Sequence, residues 1–351
     1  MAIYENERSM PKALSGDSRC RISETYERQK GSLRELARRF GIFLERRMGK
    51  ECAALALTCL MGSLAGAGLL TAPLYAATQP AANATWSAAN FIPMPRQYSA
   101  VGASALVHGV SIRPDSNASD RFAASDLEAW FRGLDIKVTR KGSAFRISLL
   151  RADSHDGKKL LDHAGMKFDS AMHDEGYIIL PSRRGLAVIG ETAPGVFYGA
   201  QTVKQMVAGR GHSAMLERAS IRDWPAMRYR GISDDLSRGP IPTLKIQEKI
   251  IRTLASYKMN LYSPYFENTL AYRSNPLPAL PGESISQADA KALVAYARPY
   301  HIMIVPEQES FGHLHKVLIY QEYAPLAETP LGTVLAPGQS GSLDLIDQWF
   351  T

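Results

Sequence analysis

The sequence predicts an α/β protein with two consecutive domains, and three observations support this class. The chain has 351 residues, of which 45% are hydrophobic and 21% charged, so it is long and apolar enough for two globular domains. Between residues 91 and 222, short apolar runs and helical patterns follow one another as in a small α+β domain. From residue 223 to 351 the order strand, loop, helix repeats three times, which predicts a parallel sheet with crossover helices.

In the first domain, turns separate the apolar stretches "ALVHGVSIRP", "DIKVTRK" and "AFRISLL", and "ASDLEAWFRGL" has a helical pattern. Farther on, two β-rich runs flank "SRRG", residues 182–185, which predicts a hairpin turn. After Pro194, apolar and small residues recur at helical spacing up to Met206. The domain should therefore end in a helix packed on a sheet.

In the second domain, each predicted strand is followed by a predicted helix. The strands are "YRGISDDLS", "NLYSPYF" and "IMIVPEQ", and the helices are "TLKIQEKIIRTLASYK", "SQADAKALVAYARPY" and "SLDLIDQWF". We expect the aromatic residues around the second strand to belong to the core: Tyr257, Tyr262, Tyr265 and Phe266.

The apolar, uncharged segment 52–77 predicts export. It follows Met48 and Lys50 and precedes an Ala82-Asn83-Ala84 pattern that suits signal peptidase. We therefore expect residues 48–84 to be a signal peptide and the mature protein to be periplasmic or extracellular. The alternative is a retained membrane anchor, since about 20 apolar residues can cross a bilayer.

The residues on either side of segment 52–77 are compatible with a signal peptide and with a membrane anchor. Residues 1–47 are a basic extension, added by a misplaced start codon if Met48 is the true start, or a cytoplasmic tail if the segment is an anchor. Residues 85–90 are expected to be a linker. Because Cys20, Cys52 and Cys59 all precede the proposed cleavage point, a mature chain would have no disulfides.

The charge distribution argues against nucleic-acid binding. The formal net charge is +7, but residues 1–50 contain twelve Lys and Arg against seven Asp and Glu, and Glu51 adds one negative charge. The chain from residue 78 onward therefore has a net charge of only +3. No nucleic-acid partner is expected from a surface of this kind.

Polar residues gather where each strand of the second domain ends. They are Asp234, Asp235 and Arg238 after the first strand, Glu267 and Asn268 after the second, and Glu307, Glu309, His313 and His315 after the third. Because the carboxyl ends of parallel strands meet at one edge, we expect one polar pocket there. Gly312 should let the backbone turn tightly beside it.

No metal or cofactor is expected. His313 and His315 lie close to Glu309, but the sequence contains no zinc motif such as H-E-x-x-H. It also contains no glycine-rich phosphate loop and no G-x-S-x-G elbow.

Two parts of the chain resemble the family-20 glycoside hydrolases, the β-N-acetylhexosaminidases. The first comprises "IPMPRQ" and "DEGYIILPSRRGLAVIGETAPGVFYGAQTVKQMV", and the second "WPAMRYRGISDDLSRG", "YKMNLYSPYFENT" and "VPEQESFGHLH". The resemblance implies a small α+β domain followed by an incomplete (β/α)8 TIM barrel, represented here by about its first three βα units.

The resemblance also implies roles for six residues. Arg238 matches the arginine that holds the hydroxyls of the terminal N-acetylhexosamine, with Asp235 and Asn268 as further substrate-binding candidates. His313 matches the histidine that bonds toward the catalytic glutamate, and Glu309 stands where the family usually has Asp. The family's second-strand Asp, which orients that histidine, falls at Glu267 or Asn268. The supporting catalytic set is therefore His313, Glu309 and Glu267.

The activity implied is removal of terminal N-acetylhexosamine from chitin fragments or glycan ends by a substrate-assisted retaining mechanism. The family's catalytic Asp-Glu pair follows the fourth strand, and residues 223–351 contain no such dipeptide, since Asp174-Glu175 lies in the first domain. We therefore expect the chain to be incomplete and inactive by itself. Alternatives are a related glycosidase, of the α-glucuronidase or O-GlcNAc hydrolase type, and a non-catalytic carbohydrate-binding protein.

Overall fold

The computed structural model describes residues 86–115, 117–140 and 144–350. The extension 1–47, the export segment 48–84 and the three cysteines lie outside these residues. Part of the predicted linker is packed on the first domain: Ala88–Asn90 forms a turn of 3-10 helix, and Phe91 behind it is buried against Tyr98, with ring centroids 5.7 Å apart. Within the described residues, no helix combines the length and apolar character that a membrane span requires.

The first domain contains ten strands and three helices among its described residues. In chain order they are β1 (Gln97–Ala100), β2 (Ala105–Leu106), β3 (Gly109–Pro114), α1 (Ala118–Gly133), β4 (Lys137–Val138), β5 (Phe145–Arg151), α2 (His155–Ala164), β6 (Tyr177–Ser182), β7 (Gly185–Gly190), α3 (Ala193–Gln205), β8 (Val207–Ala208), β9 (Met215–Leu216) and β10 (Ala219–Asp223).

Seven of these strands form one mixed sheet in the order β1-β10-β6-β7-β5-β3-β4. The half from β7 to β4 is parallel, and the half from β1 to β7 is antiparallel. Strands β2, β9 and β8 form a separate small antiparallel sheet. The domain is therefore α+β, as predicted.

Helix α3 packs closely on the seven-stranded sheet. Its start is fixed by Thr192, whose hydroxyl accepts a hydrogen bond from the Gly195 N–H at 3.2 Å, and by Pro194 in the first turn. Gly199 faces the sheet, where a Cβ would lie 2.3 Å from the Val188 side chain. Only a glycine allows this approach, so the helix predicted after Pro194 is confirmed together with its packing.

The hairpin predicted at "SRRG" is also present, because β6 and β7 pair with Ser182 opposite Gly185. Helix α1 begins six residues before its predicted pattern, since the Asn117 side chain caps it by accepting from the Ser119 N–H at 2.9 Å. Sequence reasoning missed α2 and β10. The predicted domain boundary at residues 222/223 falls at the last residue of β10.

The second domain repeats the strand–helix unit three times. Its elements are β11 (Gly231–Asp235), α4 (Leu244–Ser256), β12 (Leu261–Phe266), α5 (Gln287–Ala297), β13 (Met303–Ile304), β14 (Glu307–Gln308), α6 (His315–Leu318) and α7 (Ser340–Phe350). All pairings in this sheet are parallel: β12 lies at its centre, with β11 on one side and β13 and β14 on the other. Three parallel βα units in succession agree with the α/β class that the sequence predicted and with the front part of the (β/α)8 barrel that the resemblance implied.

The predicted third strand is divided into two. Strands β13 and β14 both pair with β12, and Pro306 lies between them. Proline has no N–H to donate to a neighbouring strand, so the ladder is interrupted there. The chain nevertheless keeps its direction along β12, and its polar residues still reach the carboxyl edge.

One hydrophobic cluster connects the two domains. It joins Phe197 of α3 to Ile251 and Leu254 of α4 and to Tyr300, which precedes β13. Tyr300 packs edge-on against Phe197, with ring centroids 6.1 Å apart. The amino-terminal ends of the parallel strands are therefore covered by the first domain, and their carboxyl ends are free to form a site.

Candidate functional site

The alternation of side chains along the strands selects which polar residues meet. Successive residues of a strand face opposite sides of the sheet. On one side, the Glu307 carboxylate accepts hydrogen bonds from the hydroxyls of Ser263 and, at 3.2 Å, Ser233. On the other side, Asp234 accepts from the buried Tyr262 hydroxyl at 2.7 Å. Asp234 is thus turned away from the side that carries Glu307.

Arg238 lies at the centre of the polar cluster. Its guanidinium forms ion pairs with Asp235 and, at 2.6 Å, with Glu267, and it lies 3.3 Å from Nδ1 of His313. Residues predicted after three different strands are therefore brought together by one side chain. The Arg238 side chain is 51% exposed, so a ligand can reach it.

The loop after β11 holds Arg238 in place. The Asp235 carboxylate accepts from the Ser237 N–H at 2.9 Å, and the Ser237 hydroxyl accepts from the Glu267 N–H at 2.8 Å. Burial is the largest single influence on Asp235 and opposes its ionisation, but the Ser237 N–H and the Arg238 guanidinium together outweigh it and hold its pKa below the usual value. Ser237 links the first two strand ends and was not predicted from the sequence.

His313 occupies the left-handed region of the backbone, with φ 52°. We expected Gly312 to provide the unusual backbone geometry, and this was wrong: among these two residues the positive φ belongs to the histidine. Few residues with a Cβ adopt this conformation. It directs the imidazole toward Arg238, where Nδ1 makes its contact.

Glu309 is held as an anion by its own loop. One carboxylate oxygen accepts from the N–H groups of Ser310, Phe311 and Gly312, each at 3.1 Å. Burial would raise the pKa of Glu309, but these N–H groups and the Tyr265 hydroxyl outweigh it, and the pKa is lowered. Glu309 therefore shapes the loop that carries His313 and is poorly suited to donate a proton.

Tyr265 belongs to this site and not to the core, so its predicted assignment was wrong. Its hydroxyl lies 3.3 Å from Glu267 and 3.2 Å from Glu309, and the Arg238 guanidinium stands 5.9 Å from its ring centre. Burial and the charges of the two glutamates raise its pKa to about 12. In contrast, Tyr262 and Phe266 are buried as predicted. The available clue was that Tyr265 is two residues before Glu267.

Like Asp234, two further residues predicted for the pocket, Asn268 and His315, do not join the cluster. The Asn268 side chain donates to the Pro278 carbonyl at 3.1 Å, on the side of Tyr272 and Asn275. Of the two candidates for the second-strand position, Glu267 is thus the one that contacts Arg238. His315 begins helix α6 and is exposed. In the part of the chain that the structure describes, no group of three His, Cys, Asp or Glu side chains could hold a metal ion.

Comparison with known proteins agrees with the family-20 resemblance. Residues 88–224 match the family model described as glycosyl hydrolase family 20, domain 2. The chain is 27% identical over 165 residues to a β-hexosaminidase of Porphyromonas gingivalis, covering 40% of this chain and 21% of that protein. It is 26% identical over 239 residues to β-hexosaminidase subunit A2 of Dictyostelium discoideum, covering 64% and 42%. It thus spans less than half of these relatives.

Solved structures extend the likeness into the second domain. A GH20 β-N-acetylhexosaminidase from Streptomyces coelicolor superposes with a TM-score of 0.61 at 24% identity, covering 74% of this chain and 56% of that one. A Streptomyces plicatus β-hexosaminidase mutant, solved with its product GlcNAc, has a TM-score of 0.60 at 23% identity, covering 74% and 55%. At this identity the likeness establishes the fold.

Proposed function

We propose that this chain, which belongs to glycoside hydrolase family 20, binds a terminal N-acetylhexosamine at Arg238 and supplies this part of a β-N-acetylhexosaminidase active site. The observation that carries the proposal is the Arg238 guanidinium: half-exposed, at the carboxyl edge of a parallel sheet, and fixed by carboxylates from two strand ends. Sites of enzymes with this architecture lie at that edge.

The chemistry of the cluster suits a sugar. A guanidinium has five N–H donors, and Asp235 and Glu267 occupy only part of them. Vicinal hydroxyls of a pyranose can accept from the remaining donors and donate to the carboxylates. The half-buried Tyr265 and the exposed His313 border the same space. A neutral polyol is therefore recognised without burying an unpaired charge.

The relatives favour an N-acetylated sugar. The curated proteins that match are named β-hexosaminidases, and a lacto-N-biosidase of Bifidobacterium bifidum is 30% identical over 151 residues, covering 43% of this chain and 13% of that protein. The solved neighbours include complexes with GlcNAc. We infer N-acetylhexosamine-terminated oligosaccharides, from chitin fragments or glycan ends, as the substrate class.

The proton donor is inferred to lie outside this cluster. Glu309 has a lowered pKa and is set to remain a carboxylate, and Glu267 is engaged by Arg238 at 2.6 Å. A general acid that works near neutral pH needs the opposite environment. This fits a substrate-assisted retaining mechanism, in which an Asp-Glu pair orients the acetamido group and protonates the leaving oxygen. Glu309 and Glu267 then position His313 and Arg238.

The test is binding of N-acetylglucosamine to the 351-residue chain, measured by saturation-transfer NMR. Arg238→Gln should weaken binding at least tenfold. The matched control is Arg298→Gln, which removes an exposed arginine before β13, at the opposite end of the sheet, and should leave binding unchanged. Equal binding by the Arg238 variant would overturn the proposal.

A second test is turnover. The 351-residue chain should release no aryl group from an aryl N-acetylglucosaminide above a buffer blank. Clear turnover would refute the positioning role of Glu309 and Glu267.

We also propose export from Met48, with localisation in the periplasm or outside the cell. The supporting features are the order of Met48, Lys50, the apolar segment 52–77 and the Ala82-Asn83-Ala84 pattern. The intact mass of the protein recovered from the expressing cells decides this. A mature species that retains residues 1–50 would rule out a cleaved signal peptide and favour the membrane anchor.

A further inference from the structure

The first domain contains a cleft of about 510 Å³ at the amino-terminal edge of its parallel strands, far along the chain from the Arg238 cluster. Its floor includes Val107 and Phe145, and its rim carries His108, Lys137 and the hairpin residues Arg183 and Arg184. We name it the basic cleft. Its volume is in the range of small-molecule sites.

The charge of the basic cleft is uncompensated. None of its lining residues is an aspartate or glutamate. Among the described residues, the side chains of Lys137, Arg183 and Arg184 form no ion pair or hydrogen bond, and all three are exposed. Asp135, two residues before Lys137, is already engaged by Arg210 at 3.0 Å.

Two less exposed basic side chains elsewhere in this domain meet carboxylates. Lys204 lies 2.6 Å from Asp126, and Arg222 lies 2.7 Å from Asp169. The three cations that line the basic cleft have no carboxylate partner. They create a positive potential that favours an anionic ligand.

The sheet fixes the spacing of these charges. The starts of the strands are aligned, with Gly109 opposite Lys137 and Arg146 opposite Gly185. Lys137 begins β4, and the arginines immediately precede β7, three strand spacings away, which is about 14 Å. Gly185 holds the hairpin turn against β5, since a Cβ there would lie 2.3 Å from the Arg146 carbonyl oxygen. The positive groups thus bracket the floor from two sides.

We propose that the basic cleft binds an acidic oligosaccharide, a short chain of sugar rings bearing carboxylate or sulfate groups. A single inorganic anion could not contact cations on both sides of the cleft, whereas anionic groups on successive rings could. The apolar floor formed by Val107 and Phe145, with Leu106 half-exposed beside it, suits the C–H faces of the rings. The choice of a saccharide over other polyanions rests on the proposed function, and the cleft would then hold a charged part of a glycan.

The experiment is calorimetric titration of the full chain with a sulfated, uronate-containing tetrasaccharide from heparin. The triple variant Lys137→Gln, Arg183→Gln, Arg184→Gln should lower the affinity at least tenfold. The matched control, Arg132→Gln, Lys158→Gln, Lys159→Gln, removes the same charge from exposed helical positions and should change it less than threefold. An equal loss in both variants would show nonspecific attraction and overturn the site.

Two further arms separate the possible ligands. Vesicles of phosphatidylglycerol in phosphatidylcholine should bind no better to the wild-type chain than to the cleft variant; cleft-dependent binding of vesicles without binding of the tetrasaccharide would overturn the saccharide assignment. The Arg238→Gln variant should keep full affinity for the acidic tetrasaccharide, and the cleft variant should keep its affinity for N-acetylglucosamine. Failure of either site can therefore be recognised independently of the other.

Discussion

The two ends of the parallel sheet in the second domain carry the same types of residue in different surroundings. Arg230, Lys258 and His301 lie just before β11, β12 and β13, and all three contact the first domain. Arg238 and Glu267 lie just after β11 and β12. The ion pairs at the amino-terminal end are buried and join the two domains. The pair at the carboxyl end is partly exposed, so it can exchange partners with a ligand.

At the amino-terminal end, the charges are enclosed. Arg230 lies 2.7 Å from Glu175, and the two side chains are only 16% and 15% exposed. Lys258 donates to Asp223 at 3.0 Å and to the Tyr177 hydroxyl at 2.8 Å, and all three groups are buried. Each cation meets an acid of the first domain, so this network fixes how the strands sit on that domain.

At the carboxyl end, one partner of the pair is open to solvent. Glu267 is 9% exposed, but Arg238 is 51% exposed. An exposed pair contributes little to stability, typically 0–1 kcal/mol. We therefore expect this pair to contribute mainly to ligand binding, because the free N–H donors of Arg238 can form hydrogen bonds with a ligand.

The same substitution at the two ends of the sheet should have very different effects on stability. Arg230→Gln should lower the free energy of unfolding by about 3 kcal/mol, because it leaves the Glu175 carboxylate poorly solvated and without its cation. Arg238→Gln should cost much less, because water can take the place of the exposed guanidinium and solvate the Glu267 carboxylate. Urea unfolding of the two variants provides the measurement. Similar losses of unfolding free energy in both variants would show that burial does not distinguish the two ion pairs.

A second prediction uses the pH dependence of the enclosed end. Burial, with a smaller effect from the charge of Arg151, lowers the pKa of His301 to about 4, and its ring packs 5.3 Å from that of Phe197. Between pH 6.5 and 4 the unfolded chain binds a proton that the folded chain does not. Stability from this residue is thus complete above pH 6.5 and is lost as the pH falls, by at most about 3 kcal/mol.

The measurement is the free energy of unfolding as a function of pH. In His301→Asn the decline between pH 6.5 and 4 should become shallower, and asparagine is chosen because it tolerates the positive φ of 58° at this position. The exposed His163 on α2 serves as the control, since His163→Asn should keep the wild-type slope. An unchanged slope in the His301 variant would show that its burial does not persist in solution.

Sequence reasoning found the order of the elements and the edge at which the site forms. The strand–helix repeat and the polar residues after each strand were sufficient, because parallel strands must bring their carboxyl ends to one edge. The pattern also pointed correctly to Arg238, Asp235, Glu267 and His313 as neighbours. Helix α2 was missed because its short "HDGKKLLDHA" run offers few apolar residues, and its start depends on the Ser154 cap.

The side on which each residue lies could not be predicted. Asp234 and Asp235 are adjacent in sequence but face opposite sides of β11, and only the register of the sheet decides which one meets Arg238. The same uncertainty applied to Glu267 and Asn268. Tyr265 was assigned to the core because its type is typical of buried strands, whereas its position places its hydroxyl between two glutamates.

The smallest effect is expected at Tyr265, which lies on the opposite side of β12 from Tyr262. Tyr265→Phe removes two long hydrogen bonds, of 3.3 and 3.2 Å, and keeps the ring beneath Arg238, so the free energy of unfolding should fall by only about 0.5–1 kcal/mol. Because the two glutamates lose a donor and shift relative to Arg238, affinity for N-acetylglucosamine should fall two- to fivefold.

The matched control is Tyr262→Phe, on the opposite side of β12. This variant loses a 2.7 Å bond to Asp234 and should destabilise the fold slightly more without changing sugar affinity. NMR titration with N-acetylglucosamine and urea unfolding of both variants separate the outcomes. If Tyr262→Phe weakened sugar binding as much as Tyr265→Phe, the assignment of the two sides of this strand to packing and to ligand binding would be wrong.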